Sequence, residues 1–417
     1  MSERDLLMVP GPTMVDPAVL RSMSKPTESH LHAEFSSRFK HTLENLKRVF
    51  MTKGEIFAIA GSGTLAQEMG VANLIEPGDR VLCLVNGFFS GRFVEMVKRH
   101  RGVPYVHEVE WGKPVLPSEV RKLLEEKRYK AVTASHVETS TGVAIPIKDI
   151  GKVVMDSGAY FVLDTVASLG GMEVRTDDWG IDANCTCTQK CLATPPGLAF
   201  VSLSERAEEY LEKRKEPIGM FYGDLKSWLP VMRDPIRYLA TPPVNLVYGL
   251  DESLNMILSE GLEKRFARHA LIAKAFRRAM EAIGLRLVAD EDYAANTVTT
   301  VLYPQGFNDA DFRSEVFRRG VVIARGFGPF EGKIFRVGHM GNVTANDITA
   351  TICAIEIAMK KLGYSFPLGA GVKAAEQTSA SLQIPMAIPF SVIPLASVIF
   401  MVHVLADIAR TVDRKAS

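Results

Sequence analysis

Between Ile56 and Leu203 short apolar runs alternate with longer helical patterns, and this alternation constrains the fold more than any other feature of the chain. "IFAIA", "RVLCLV", "KAVTAS", "YFVLD" and "LAFVSL" are apolar at successive positions, so as strands they bury both faces. The intervening stretches Leu65–Leu74, Gly91–His100, Ser118–Lys127 and Ile147–Ser157 read as helices. Fully buried strands separated by helices predict an α/β fold, a mostly parallel sheet flanked by helices. In such a sheet ligands collect at the C-terminal ends of the strands.

The pattern changes near "YLATPPVNLVYGL", Tyr238–Leu250, where prolines interrupt any helix. A long helical stretch follows from Asp251 to about Ile283. "NTVTTVLY", a helix over Asp309–Arg319, "VVIA", "KIFRVG" and a helix over Ala345–Leu362 then make a smaller α+β unit. The expected organisation is an N-terminal arm (1–20), a large domain (21–250), a small C-terminal domain (251–366) and a tail (367–417). At 417 residues the chain can bury such a two-part core.

Charge and cysteine usage narrow the function. A formal net charge of +1 lacks the basic excess of a nucleic-acid binder. Cys185, Cys187 and Cys191 cluster as C-x-C-x3-C without a second half or a nearby histidine, so no metal site is expected. "MSERDLLMVPGP" has no apolar signal-peptide core, which makes the reducing cytoplasm the expected compartment. One stretch departs from the soluble pattern. From Gln377 to Ala406 there is no Asp, Glu, Lys or Arg, and Ile384–Ala406 is long enough to cross a bilayer. Pro385, Pro389 and Pro394 would break its first half as a helix. Membrane association and packing against the protein or a second subunit both stand as readings.

Three features sit where strands of one sheet would end. "IAGSGTLAQE" runs from a strand through Gly61, Ser62, Gly63 and Thr64 into a helix, an N-terminus whose open N–H groups suit a phosphate. It is not a P-loop, and an ordinary helix cap is its other reading. "YFVLD" ends in Asp164, either a helix cap or a carboxylate paired with a protonated ring nitrogen. "ANCTCTQK" ends in Lys190, whose small uncharged neighbours suit either a side chain that snorkels to water or a desolvated amine. A phosphate cradle, a carboxylate and a desolvated lysine are the parts that pyridoxal phosphate requires, the lysine bonding it as a Schiff base.

The chain resembles the class V aminotransferases of fold type I, in particular the serine–pyruvate and alanine–glyoxylate group. The segments that carry the resemblance are "VPGPTMVDPAVL", "GSGTLAQE", "LIEPGDRVLCLVNGFF", "SHVETSTGV", "LDTVASLGG", "TQKCLATPPG", "YLATPP" and "GKIFRVGHMG", in order over roughly residues 5–365. The resemblance implies the fold type I architecture of pyridoxal-phosphate transferases, a large domain with a mostly parallel sheet and a smaller α+β domain. It implies roles too. Lys190 is the cofactor-bonding lysine and Asp164 the partner of the ring nitrogen. Ser62, Gly63, Thr64 and Gln189 hold the phosphate, Phe89 stacks on the ring where a tryptophan is usual, and Thr139 lies near the phenolic oxygen. Tyr238 and Thr241 reach the phosphate of the neighbouring subunit, which implies a homodimer with shared sites. Arg336 binds the substrate carboxylate, and the "PGP" of residues 10–12 brings backbone near the substrate. Taken alone, Tyr238 reads as a core tyrosine and Arg336 as a structural ion pair. "SHLHAEF" places Leu31 where the family usually has an arginine.

The expected activity is ping-pong transamination between a small amino acid, serine or alanine, and a 2-oxo acid, pyruvate or glyoxylate. Aspartate or 2-aminoethylphosphonate as donor is the alternative within the chemistry. A cysteine desulfurase is disfavoured because Gln189 stands where a histidine is usual. A membrane-tethered, non-catalytic homologue is the alternative outside it.

Overall fold

In the computed structural model, which describes residues 5–380, the apolar runs assemble into a seven-stranded sheet. Its order is Glu55–Gly61, Gly197–Leu203, Ala183–Cys187, Tyr160–Asp164, Ala131–Ser135, Arg80–Val85 and Val103–Glu108. Neighbours from Ala183–Cys187 to Val103–Glu108 are parallel. The last of these did not show as an apolar run because it is an edge strand with partly exposed faces.

"LAFVSL" departs from the parallel expectation: Gly197–Leu203 runs antiparallel to both of its neighbours. Parallel neighbours need a crossover of roughly a dozen residues or more, and the segment 188–196 is shorter than that. The chain therefore turns back on itself, and the turn holds Lys190 at the C-terminal edge of the sheet. The helix Gly63–Leu74 lies close on that sheet because two of its glycines let it. A Cβ on Gly70 would stand 2.7 Å from Cys185 Sγ, and one on Gly63 2.8 Å from Val166. The tight helix–sheet contact fixes where the helix N-terminus points.

The second unit has an antiparallel sheet ordered Val298–Leu302, Ile334–Gly338, Ala324–Arg325. Phe276, Phe312, Phe335, Ile352 and Met359 form its own buried core. The long helical stretch expected after Asp251 is two helices, Val244–Glu260 and Leu262–Ala282, separated at Gly261, whose φ of +83° no helix accommodates. The first begins directly after Pro242 and Pro243, where proline fits a helix start. The N-terminal segment ties into this second unit: Leu6–Leu7 pair in parallel with Val321–Val322, and Gly338 N–H donates to the Met8 carbonyl. The apolar stretch Ile384–Ala406 lies outside the described residues. Within them no helix is long and apolar enough to cross a membrane, and no group of His, Cys, Asp or Glu is arranged to hold a metal ion.

Candidate active site

A cavity of about 310 Å³ opens at the C-terminal edge of the main sheet. The residues predicted for the phosphate cradle (Ser62, Gly63, Thr64, Gln189), the ring face (Phe89), the hydroxyl (Thr139), the carboxylate (Asp164) and the lysine (Lys190) all line it. They arrive from five strand ends because the strands of Gly61, Val85, Ser135, Asp164 and Cys187 run the same way. Ser62 is the N-cap of the helix Gly63–Leu74, yet its side chain makes no cap bond. An anion at this helix start would meet N–H groups that the cap leaves unclaimed. Gln189 adds an amide whose oxygen is buried without a protein partner. Turned by half a rotation, that amide presents its N–H₂ instead.

Asp164 is buried, and its carboxylate is held by neutral donors alone. Gln67 Nε2 and Ser135 Oγ donate to Oδ2 at 2.7 and 2.9 Å, and the Val166 N–H donates to Oδ1 at 2.7 Å. No helix follows it, so the helix-cap reading fails; the Val166 contact is a local turn of the aspartate type. Burial pushes the carboxyl up to about 6, against the pull of these three hydrogen bonds. A carboxylate so placed is stabilised by a cationic partner, and among the described residues no cationic side chain forms an ion pair with it.

Lys190 meets the N-terminal segment. Its side chain is half-buried in the cavity wall; burial lowers its pKa, and the nearby Arg336 charge lowers it further. Nζ donates to the Pro10 carbonyl. Thr13 Oγ1 donates to the Lys190 carbonyl at 2.9 Å, and Thr13 N–H to the Gln189 carbonyl at 3.2 Å. A Cβ on Gly11 would lie 2.6–2.8 Å from the last three atoms of Lys190. The "PGP" segment is thus a backbone surface against the lysine, and Gly11 is what allows the approach.

An aromatic wall closes one side. Phe89 meets Phe88 edge-on at 5.2 Å and Phe327 edge-on at 5.9 Å, while Phe88 and Phe327 stack at 5.0 Å. The Arg92 guanidinium stands 4.8 Å from the Phe89 ring centre and donates to Thr64 Oγ1 at 3.1 Å. Arg336 comes from the central strand of the second unit and is buried. Its Nε donates to the Arg325 carbonyl at 2.6 Å and Nη1 to the Thr139 carbonyl at 3.1 Å, with the guanidinium 4.5 Å from the Phe327 ring centre. No described carboxylate pairs with it, so the ion-pair reading fails. Burial brings it down to about 10, so it stays cationic at neutral pH. It borders the site through Thr139 rather than lining the cavity itself.

Tyr238 and Thr241 are not brought to the cavity within one chain. Tyr238 is 63% exposed, which rules out the core-tyrosine reading. Its hydroxyl lies 3.4 Å from Thr241 Oγ1, and its ring 5.5 Å from that of His30. Leu31, beside His30, is also exposed and does not line the cavity. Sequence reasoning missed Gln67, Ser135, Arg92, Glu138 and Phe327. Gln67 carried a signal, since it sits one helical turn beyond Gly63 and so faces the same way; Phe327 carried none.

Together the unclaimed helix start, the unpartnered Gln189 oxygen, the Asp164 carboxylate without a cation and the desolvated Lys190 fit pyridoxal phosphate. Each is a deficit that one part of that cofactor would fill.

Comparison with known proteins agrees. A family model described as aminotransferase class-V matches residues 6–329. An uncharacterized aminotransferase of Methanocaldococcus jannaschii is 42% identical, over 90% of this chain and 97% of its own. The L-aspartate–glyoxylate aminotransferase of Paracoccus denitrificans is 34% identical over 92% and 99%. Among solved structures, the ureidoglycine–glyoxylate aminotransferase of Bacillus subtilis superposes with a TM-score of 0.87 at 33% identity, covering 91% of this chain and 99% of that one.

Proposed function

The chain belongs to the class-V aminotransferases, and from that premise we propose that it transfers an amino group from a small amino acid, serine or alanine, to glyoxylate or pyruvate, with pyridoxal phosphate as cofactor. One observation carries the reading: a buried carboxylate without a cation and a desolvated lysine share one cavity at the edge of one sheet.

Bound pyridoxal phosphate supplies an electron sink for the pair released when the substrate Cα–H bond breaks. The chain's own groups do the rest. Ser62, Gly63, Thr64 and Gln189 hold the phosphate. Asp164 keeps a proton on the ring nitrogen, and that proton gives the buried carboxylate its counter-charge. Lys190 would hold the cofactor, and its amine is placed to carry the proton to and from the substrate Cα, work for which a lowered pKa suits it. Arg336 fixes the substrate carboxylate through its guanidinium fork. Phe89 and Phe327 exclude water from that side of the site. The same groups serve both halves of a ping-pong cycle, because donor and acceptor each present a carboxylate beside the reacting carbon.

The working unit we propose is a homodimer. Tyr238, Ile236 and Leu31 expose large apolar surfaces around His30, a patch suited to a second copy of the chain. Through it Tyr238 and Thr241 would reach the partner's phosphate site.

Aspartate is the second reading for the donor. Arg92 lines the cavity and pairs with no described carboxylate, so it is free to meet a second acidic group. The test is an absorbance spectrum of the reconstituted protein, followed by separate additions of L-serine, L-alanine and L-aspartate and then glyoxylate. The reading expects a visible cofactor band that one donor bleaches and glyoxylate restores. A protein that takes up no cofactor and forms no oxo acid overturns it.

A further inference from the structure

Glu138 is a fully buried carboxylate that the chemistry above does not use. It pairs with no cation among the described residues. Neutral donors surround it instead. The Phe89 N–H, the Ser90 N–H and Ser90 Oγ donate to Oε2 at 3.0, 2.9 and 3.0 Å, and the Ser140 N–H and Oγ donate to Oε1 at 3.0 and 2.7 Å. Three donors come from the loop that carries Phe89 and two from the turn that carries Thr139. Each oxygen serves one of the two segments.

The packing around this clamp leaves no slack. A Cβ on Gly87 would stand 2.4 Å from Glu138 Cγ and 2.6 Å from Ser140 Oγ, so the loop is pressed directly onto the carboxylate. The Phe88 N–H also donates to Ser140 Oγ, at 3.1 Å. On the far side of the same turn, the Thr139 carbonyl accepts from Arg336, and Thr300 Oγ1 donates to the Thr141 carbonyl. Glu138 therefore sits between the loop that presents the Phe89 ring and the turn on which Arg336 rests. Its charge also acts on both neighbours. Burial dominates the rise of Asp164 and the fall of Arg336; the Glu138 charge adds to the first and opposes the second.

We propose that Glu138 is a positioning residue that sets the spacing between the Phe89 ring and the Arg336 carboxylate receptor. A cofactor ring against Phe89 and a substrate carboxylate on Arg336 would then lie in register without either residue moving. This inference rests on the aminotransferase reading of the same cavity.

Glu138→Gln is the sharpest test, because it keeps the shape but turns an N–H₂ group toward N–H or O–H donors on one side. Three readouts apply. Amide hydrogen exchange in segment 87–90 of the cofactor-free protein should rise at least tenfold. The visible circular dichroism of bound pyridoxal phosphate should fall by half or more. KM for the amino donor should rise about tenfold or more, with a smaller change in kcat. Unchanged exchange, dichroism and KM alongside a lowered melting temperature would make Glu138 a stabilising residue only and overturn the proposal. If the variant does not fold, Ser140→Ala decides, since it removes one donor to Oε1 and leaves the carboxylate in place. It should shift the same three readouts in the same direction by a smaller factor; wild-type values in all three overturn the proposal. Failure of the aminotransferase reading is distinguishable, because wild-type protein would then take up no cofactor at all.

Discussion

The main sheet carries a buried aspartate at each of its two edges, and they are equipped in opposite ways. Asp182, 2% exposed, stands at the N-terminal edge, just before the strand Ala183–Cys187. Arg206 grips it with Nε and Nη2, Ser204 Oγ donates to it at 2.7 Å and the Phe161 N–H at 2.8 Å. Asp164, 5% exposed, ends a neighbouring strand at the C-terminal edge with neutral donors and no cation. One edge satisfies its charge from within the chain. The other leaves it for something that binds, and the uncapped helix start at Ser62, the unpartnered Gln189 oxygen and Lys190 lie on that same edge. Hollow size does not make this distinction, since the N-terminal edge has a larger hollow of about 810 Å³, lined by Asp182 and Arg206 themselves.

The comparison breaks if the two aspartates respond alike. Asp164→Asn should lower kcat by roughly 10²–10⁴-fold, the range for a positioned proton-holding group, with no loss of folding stability. Asp182→Asn should leave kcat within a factor of about two and destabilise the fold by about 2–3 kcal/mol, below the full cost of breaking a buried pair because Arg206 is part-exposed. Urea midpoints and kcat measured on both variants decide it. The pH dependence of the cofactor-free protein sharpens it further. The Asp164 pKa rises from 3.8 in the unfolded chain to about 6 in the fold. Below 3.8 both states are protonated and the group has no effect. Between 3.8 and 6 the unfolded chain ionises first, so stability falls as pH rises, by about 3 kcal/mol in all. Asp164→Asn should remove that fall, and should therefore be more stable than wild type at pH 7 but not at pH 3.5.

Two glycines give a second, smaller contrast. A Cβ on Gly54, at the N-terminal edge, would meet the Leu203 carbonyl oxygen at 2.0 Å, a clash with backbone. A Cβ on Gly11 would meet only the flexible end of Lys190, although its φ of +101° adds strain of its own. Gly54→Ala should cost about 1–3 kcal/mol of stability and leave the activity of the folded fraction intact. Gly11→Ala should displace the lysine and reduce kcat roughly 10–100-fold, the scale of a misplacement near 1 Å. A Gly11→Ala enzyme with wild-type kcat would show that Lys190 does not need this surface.

The difference between the edges also explains what the sequence made legible. Asp164 and Lys190 stand out because each ends a run of small or apolar residues, and the co-directional strands then put both on one edge. Glu138 stayed hidden because a glutamate among threonines and serines in "VETST" reads as a polar turn; only the fold shows that the turn is buried. Phe327 and Arg92 join the site through contacts between segments far apart in sequence, which periodicity does not report. The reversal of "LAFVSL" escaped for a related reason: burial on both faces fixes that a segment is a strand but not which way it runs. Tyr238 shows the converse, since an aromatic residue in an apolar segment reads as core until its exposure is known.

Two N-cap serines make the finest comparison. Ser204 caps the helix Glu205–Lys213 at the N-terminal edge; its hydroxyl accepts from the Ala207 N–H and donates to Asp182. Ser62 caps the helix Gly63–Leu74 at the C-terminal edge, and its hydroxyl makes no cap bond. An ordinary helix start uses its serine as Ser204 is used, and losing that hydroxyl costs about 1–2 kcal/mol. Ser204→Ala should show that loss in urea denaturation with cofactor affinity unchanged. Ser62→Ala has no cap bond to lose, so its stability should stay within about 0.5 kcal/mol of wild type. Its hydroxyl is instead one donor to an anion, worth up to about tenfold in the Kd for pyridoxal phosphate. Titration of cofactor-free protein followed by fluorescence measures that change. If Ser62→Ala lost stability and kept its affinity, the helix start would be an ordinary cap after all, and the phosphate site would have to rest on Gly63, Thr64 and Gln189 alone.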